Sequence, residues 1–126
     1  MIAADTSTWI ALIQGDNGRD AQLLDAALQD RQLLMPPVVI AEILSDAKLP
    51  KAIAISLSDI PMIEIADGYW ERVGALRARV LGKGRRARLG DALIAQSCLD
   101  RGISLLTRDR DFKAFTEAAG LQLVIR

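Results

Sequence analysis

Four acidic residues, Asp5, Glu42, Asp91 and Asp109, are set apart by their neighbours. Asp5 closes an apolar run that begins at Met1, and Asp109 follows the run Ile103–Leu106 by way of Thr107 and Arg108. Runs of that kind read as buried parallel strands, so each carboxylate stands at a strand's carboxyl end, the edge where open α/β sheets bind ligands. Glu42 sits among Val39, Ile40, Ala41, Ile43 and Leu44, where an ionised carboxylate is costly unless it meets a cation or water. Asp91 opens a helical segment, and Asp111 offers a fifth carboxylate. Two carboxylates about 4 Å apart repel by roughly 4 kcal/mol at an effective dielectric near 20, so gathering them requires a counter-ion. A donor set made only of oxygens selects a hard divalent cation, Mg²⁺ or Mn²⁺. Such an ion can activate water for attack on a phosphodiester and stabilise the leaving oxygen. Asp5 also fits as the cap of the helix that follows, with Thr6 and Ser7 as alternative caps.

Composition removes the competing chemistries. The 126 residues include no histidine, which excludes Ser-His-Asp and Cys-His nucleophiles and His-ligated zinc. The single Cys98 excludes an internal disulfide and multi-cysteine metal sites, and its apolar surroundings predict a small core residue. Sixteen Lys and Arg balance sixteen Asp and Glu, so net charge argues neither for nor against nucleic acid. A hydrophobic fraction of 51% is apolar for so small a chain and points to surface covered by a partner. The run Thr6–Gly15 lacks charge for only ten residues, too few to cross a bilayer. Without a basic region and apolar core at the amino terminus, a cytoplasmic location and no membrane association are expected.

The elements that must position the acids alternate between strand and helix. The sequence predicts a strand up to Asp5, then a short helix over Trp9–Ile13 that stops at Gly15. Leu23, Leu24, Ala27 and Leu28 predict a helix from Arg19 to about Gln32, with Asp20, Asp25, Asp30 and Arg31 on its polar face. Leu33–Met35 reads as a strand ended by Pro36 and Pro37, which start a helix from Val38 to about Ala47. A helical piece over Pro50–Ser58, a strand over Met62–Ile65 and a helix capped by Asp67 and striped by Tyr69, Trp70, Val73, Leu76, Val80 and Leu81 come next. A helix over Asp91–Arg101 ended by Gly102, a strand over Ile103–Leu106, a helix over Phe112–Ala119 and a strand over Leu121–Ile125 complete a single domain spanning 1–126. Right-handed crossovers then imply a central parallel sheet of four to five short strands with helices on both faces.

Four blocks carry a resemblance: Asp5-Thr6-Ser7, Glu42 in its apolar helix, Gly90-Asp91-Ala92-Leu93-Ile94-Ala95, and Leu105-Leu106-Thr107-Arg108-Asp109-Arg110-Asp111-Phe112. In that order, with the acids 37, 49 and 18 positions apart, they resemble the PIN-domain ribonucleases, and most closely the VapC-type toxins of bacterial toxin-antitoxin pairs. The resemblance implies a three-layer α/β/α PIN-like fold and an endoribonuclease dependent on Mg²⁺ or Mn²⁺. It further implies a homodimer that is inhibited by a cognate antitoxin protein occupying the site. Carried over by position, Asp5, Glu42, Asp91 and Asp109 match the family's catalytic, metal-binding acids, with Asp5 and Asp91 as its usual direct ligands. Thr6 and Thr107 match the hydroxyls beside the first and last acids, and Asp111 is accessory.

The segment Gly82–Gly90 is a flexible basic loop leading into Asp91. With the four acids neutralised by metal, the remaining chain carries four excess positive charges, and Arg85, Arg86 and Arg88 are expected to hold RNA phosphates or antitoxin carboxylates. Other readings fare worse. A haloacid-dehalogenase-type phosphatase needs a second aspartate two positions after the first, where Ser7 stands, and P-loop and dinucleotide fingerprints are missing. The alternative to an enzyme is a catalytically weak PIN-like module for partner binding or regulation.

Overall fold

A computed structural model describes residues 1–125. Its centre is a parallel pair of strands, β1 (Ile2–Ala4) and β2 (Ser104–Leu106), in the register Ile2 to Ser104, Ala3 to Leu105 and Ala4 to Leu106. Single parallel bridges join Ile2 to Leu33, Met35 to Met62 and Leu105 to Leu123. The lateral order is therefore Met62, Leu33–Met35, β1, β2, Leu123. All five expected strand positions take part, but only two form ladders. Prolines account for two of the short pairings, because Pro36 and Pro37 follow Met35 and Pro61 precedes Met62, and proline cannot donate a ladder bond.

Ala3, Ala4, Leu105 and Leu106 are all fully buried. Successive strand residues face opposite sides, so both faces of the sheet are covered, which is the three-layer arrangement expected. The covering helices are α1 (Thr6–Ile13), α2 (Arg19–Gln29), α3 (Pro37–Leu44), α4 (Lys51–Ser58), α5 (Tyr69–Gly82), α6 (Leu89–Arg101) and α7 (Lys113–Ala119). A 3₁₀ turn at Arg110–Phe112 leads into α7. Helix α1 packs on α2 and α3, while α5 packs on α6 and α7.

Several boundaries differ from those read in the sequence. Helix α1 starts at Thr6, immediately after Asp5, because the Asp5 carboxylate caps it. Helix α2 ends at Gln29, and Arg31 turns the chain with φ of 55° before Leu33. Helix α3 stops at Leu44, three residues early. Asp67 does not cap α5: Gly68 takes that place with φ of 81°, open to glycine at little cost, and the Asp67 carbonyl accepts from Arg72. Cys98 is buried in the core, and burial pushes its thiol up to about 12, as an inert packing residue requires.

Candidate functional site

Asp5 leaves β1 with only 4% of its surface exposed and N-caps α1. Its carboxylate accepts from the Thr8 N–H at 3.2 Å, from the Ser7 hydroxyl at 2.8 and 2.9 Å and from the Thr107 hydroxyl at 2.7 Å. Burial raises its pKa above the usual carboxylate range, and the hydrogen bonds from Thr107, Ser7 and Thr8 partly oppose that rise. Capping and site-building are thus one geometry, since the bonds that start the helix also fix the carboxylate.

Thr107 links the two strand ends. Its hydroxyl donates to Asp5 and accepts from the Asp109 N–H at 3.0 Å. Asp109 in turn accepts from the Asp111 N–H at 2.9 Å, an Asx turn that starts the 3₁₀ segment. The second strand end thereby offers two carboxylates two residues apart. From the first turn of α6, Asp91 meets them: carboxylate oxygens of Asp91, Asp109 and Asp111 all lie within 4.8 Å of one another. The Asp91 pKa is pushed up to about 6, chiefly by burial and then by the negative charge of Asp109. Asp5 and Asp111 add to that rise, and the Arg88 guanidinium opposes it.

Asp91, Asp109 and Asp111 therefore converge, with Asp111 more central than its accessory standing in the sequence. Asp5 stands beside them, tied in through Thr107 and raising the Asp91 pKa. Glu42 stands differently. Helix α3 buries Val39 and Ile43, leaving Glu42 exposed instead of enclosed by apolar neighbours. Its carboxylate accepts from the Thr6 hydroxyl at 2.8 Å and lies outside the Asp91–Asp109–Asp111 group. The basic loop divides as well. Arg88 precedes α6 beside Asp91, Arg86 lies 3.8 Å from Asp111, and Arg85 is engaged by Glu117 of α7 at 2.6 Å.

One part of the frame was not anticipated. Asp20, expected on the polar face of α2, is 6% exposed. It accepts from the Thr8 hydroxyl at 3.1 Å and from Arg108 at 2.8 and 2.9 Å, and Arg108 also reaches Asp16 at 3.1 Å. Arg108 lies between Thr107 and Asp109, so this clamp ties the loop carrying Asp109 to the starts of α1 and α2.

A parallel α/β frame that brings Asp109 and Asp111 of a strand end together with Asp91 of a helix start, beside the buried strand-end Asp5, defines a class of acidic sites suited to metal-dependent hydrolysis. The match to known proteins is specific: residues 2–118 fit the PIN-domain model, and the chain belongs to that family. It is 27% identical over 129 residues to ribonuclease VapC5 of Mycobacterium tuberculosis, covering 95% of this chain and 91% of that protein. Among solved structures it is similar to VapBC2 from Rickettsia felis, bound to a DNA fragment from their promoter. That likeness has a TM-score of 0.74 at 22% identity and covers 98% and 97% of the two chains. VapBC-5 from M. tuberculosis, a member of the VapBC family of toxin-antitoxin systems, gives a TM-score of 0.67 at 21% identity, covering 98% and 96%.

The donor set fits a hard divalent cation. Every group that could coordinate is a carboxylate or hydroxyl oxygen, three carboxylates lie within reach of one ion, and their mutual repulsion is what such an ion relieves.

Proposed function

We propose that this chain is a metal-dependent endoribonuclease and the toxin of a toxin-antitoxin pair. It works as a cytoplasmic homodimer of one-domain subunits held inactive by a cognate antitoxin protein. The observation that carries this reading is the convergence of Asp91, Asp109 and Asp111 beside a buried Asp5 in a PIN-family chain. Likeness to a protein named as a ribonuclease, and to members of VapBC complexes, supports the substrate class and the partner.

Asp5, Asp91, Asp109 and Asp111 would hold Mg²⁺ or Mn²⁺, with Glu42 on the rim. The bound cation supplies positive charge for a phosphodiester and a lowered pKa for the attacking water. The chain's own groups do the rest. The four bonds to Asp5 stop that carboxylate from turning away, so it is oriented before any ligand arrives. Thr107 keeps the Asp5 and Asp109 ends in one register, and Thr6 aims Glu42. Arg86 and Arg88 are placed to hold an RNA phosphate or an antitoxin carboxylate, with Arg85 behind them.

The test is cleavage of single-stranded and structured RNA by antitoxin-free protein with Mg²⁺ or Mn²⁺. Activity should vanish with EDTA and in Asp5→Asn, whose circular dichroism should stay unchanged. Cleavage that persists in either case refutes the mechanism.

A further inference from the structure

Beside the acid cluster lies a second feature whose cations Arg19, Arg110 and Lys113 have no part in the proposed chemistry. It is a cleft of about 300 Å³ lined by Arg19, Asp20, Thr107, Arg108, Asp109, Arg110, Lys113, Leu123 and Ile125. Four of its lining side chains are cations and two are carboxylates, a net of two positive charges. Arg108 is held by Asp16 and Asp20, so it shapes the wall. Arg19, Arg110 and Lys113 are exposed, and none has a carboxylate partner within ion-pair distance among the described residues. They come from three separate elements, the first turn of α2, the 3₁₀ turn and the start of α7. Thr107 and Asp109 belong both to this cleft and to the acidic site, so the two are continuous. Arg86 and Arg88 do not line it.

We infer that the Arg19–Arg110–Lys113 cleft is a phosphate subsite that holds single-stranded RNA next to the bond being cut. The inference rests on the nuclease reading and extends it. A chain whose scissile phosphate lies at the acids carries a neighbouring phosphate past Asp109, where the three cations meet it. Arg86 and Arg88, at Asp111 and Asp91, are left to engage a different part of the strand. Cations at both places offset the repulsion between a polyanion and a carboxylate cluster. Phosphates, unlike bases, carry no sequence information, so this subsite sets affinity and register without choosing a base.

The test uses the triple variant Arg19→Ala, Arg110→Ala, Lys113→Ala and a fluorescein-labelled 2′-O-methyl single-stranded oligoribonucleotide, which cannot be hydrolysed. Anisotropy titrations across a salt series at constant Mg²⁺ should show binding weaker by about tenfold. The slope of log affinity against log salt should be shallower by about 0.7, as expected for one lost phosphate contact on a single strand. The charge-retaining set Arg19→Lys, Arg110→Lys, Lys113→Arg should restore the slope, and the circular dichroism of both variants should match that of the wild type. An unchanged salt slope in the alanine variant overturns the inference. So does loss of antitoxin binding with oligonucleotide affinity intact, which would make the cleft a protein-docking face. Failure of the wild-type chain to cut any RNA would instead count against the nuclease reading, while the salt slope would still judge the cleft.

Discussion

The carboxylates of this protein fall into two populations with opposite electrostatic surroundings. Asp16, Asp20 and Asp100 each meet a guanidinium, Arg108 for the first two and Arg72 for the third, and those contacts hold their pKa values below the usual range. Asp5 is buried beside hydroxyls and Asp91 half-buried beside other acids, and their values are raised. The chain has arginine nearby in both regions, yet pairs it with aspartate closely only in the first. Carboxylates that hold the fold together are neutralised by the protein. Those gathered at the strand ends are left for an ion to neutralise, at a cost in stability that an unused site would have no physical reason to carry.

Asp91→Asn separates the two populations most sharply. RNA cleavage should fall by more than the about 10–100-fold that loss of an outer supporting contact brings, because a ligand itself is lost. The metal-free variant should nevertheless unfold at a higher temperature than wild type, since one of the mutually repelling charges is gone. Differential scanning calorimetry in EDTA checks the second outcome. A variant less stable than wild type would mean that the Asp91 charge is satisfied within the protein.

Arg108→Ala should do the reverse. It leaves the buried Asp20 with the Thr8 hydroxyl and the Ala21 N–H but no cation, and removes the tie between the Asp109 loop and α2. Stability should fall by about 1–3 kcal/mol in urea denaturation, the range for a buried polar group left without its partner. Arg108→Lys should recover only part of this, because an ammonium cannot reproduce the two bonds from Nε and Nη2 to one carboxylate.

What the sequence could reveal follows the same division. Apolar runs ending in acids marked Asp5 and Asp109, and an aspartate opening an apolar helix marked Asp91, because those signals are local. The central position of Asp111 was not readable, since its carboxylate meets Asp91 only once α6 is packed against the second strand end. The burial of Asp20 was not, because its partner lies 88 positions away. The direction of Glu42 depended on which stripe of α3 meets the core, and an apolar run on all sides conceals that choice. Strand positions were legible as apolar segments, while the reduction of three of them to single bridges depended on prolines and neighbours acting together.

Titration tests both populations in one experiment on metal-free protein. The arginine-paired acids have folded pKa values below their unfolded ones, so their stabilisation is present above about pH 4 and disappears as pH falls through the lowered values. The clustered acids have folded values above their unfolded ones, so protonation favours the folded state and stability should rise as pH falls from about 7 toward 5. Urea midpoints against pH should therefore pass through a maximum a little above about pH 4, falling on either side. Saturating Mn²⁺ should remove the decline above that maximum. A monotonic profile without metal would show that the two populations do not differ in sign.

The smallest effect belongs to Arg85. Its pair with Glu117 is short at 2.6 Å, but the two side chains are 45% and 55% exposed, so water and salt screen the attraction. Arg85→Ala should cost less than about 1 kcal/mol in stability, the usual range for a surface pair. Arg86, 3.8 Å from Asp111, and Arg88, whose charge acts on Asp91, are coupled to the acids, so replacing them should alter Mn²⁺ affinity where Arg85→Ala does not. Isothermal titration of Mn²⁺ into the three single variants measures this directly. Equal shifts in all three would mean that the loop acts as a diffuse field of positive charge, and that the separate contacts of its arginines do not decide their roles.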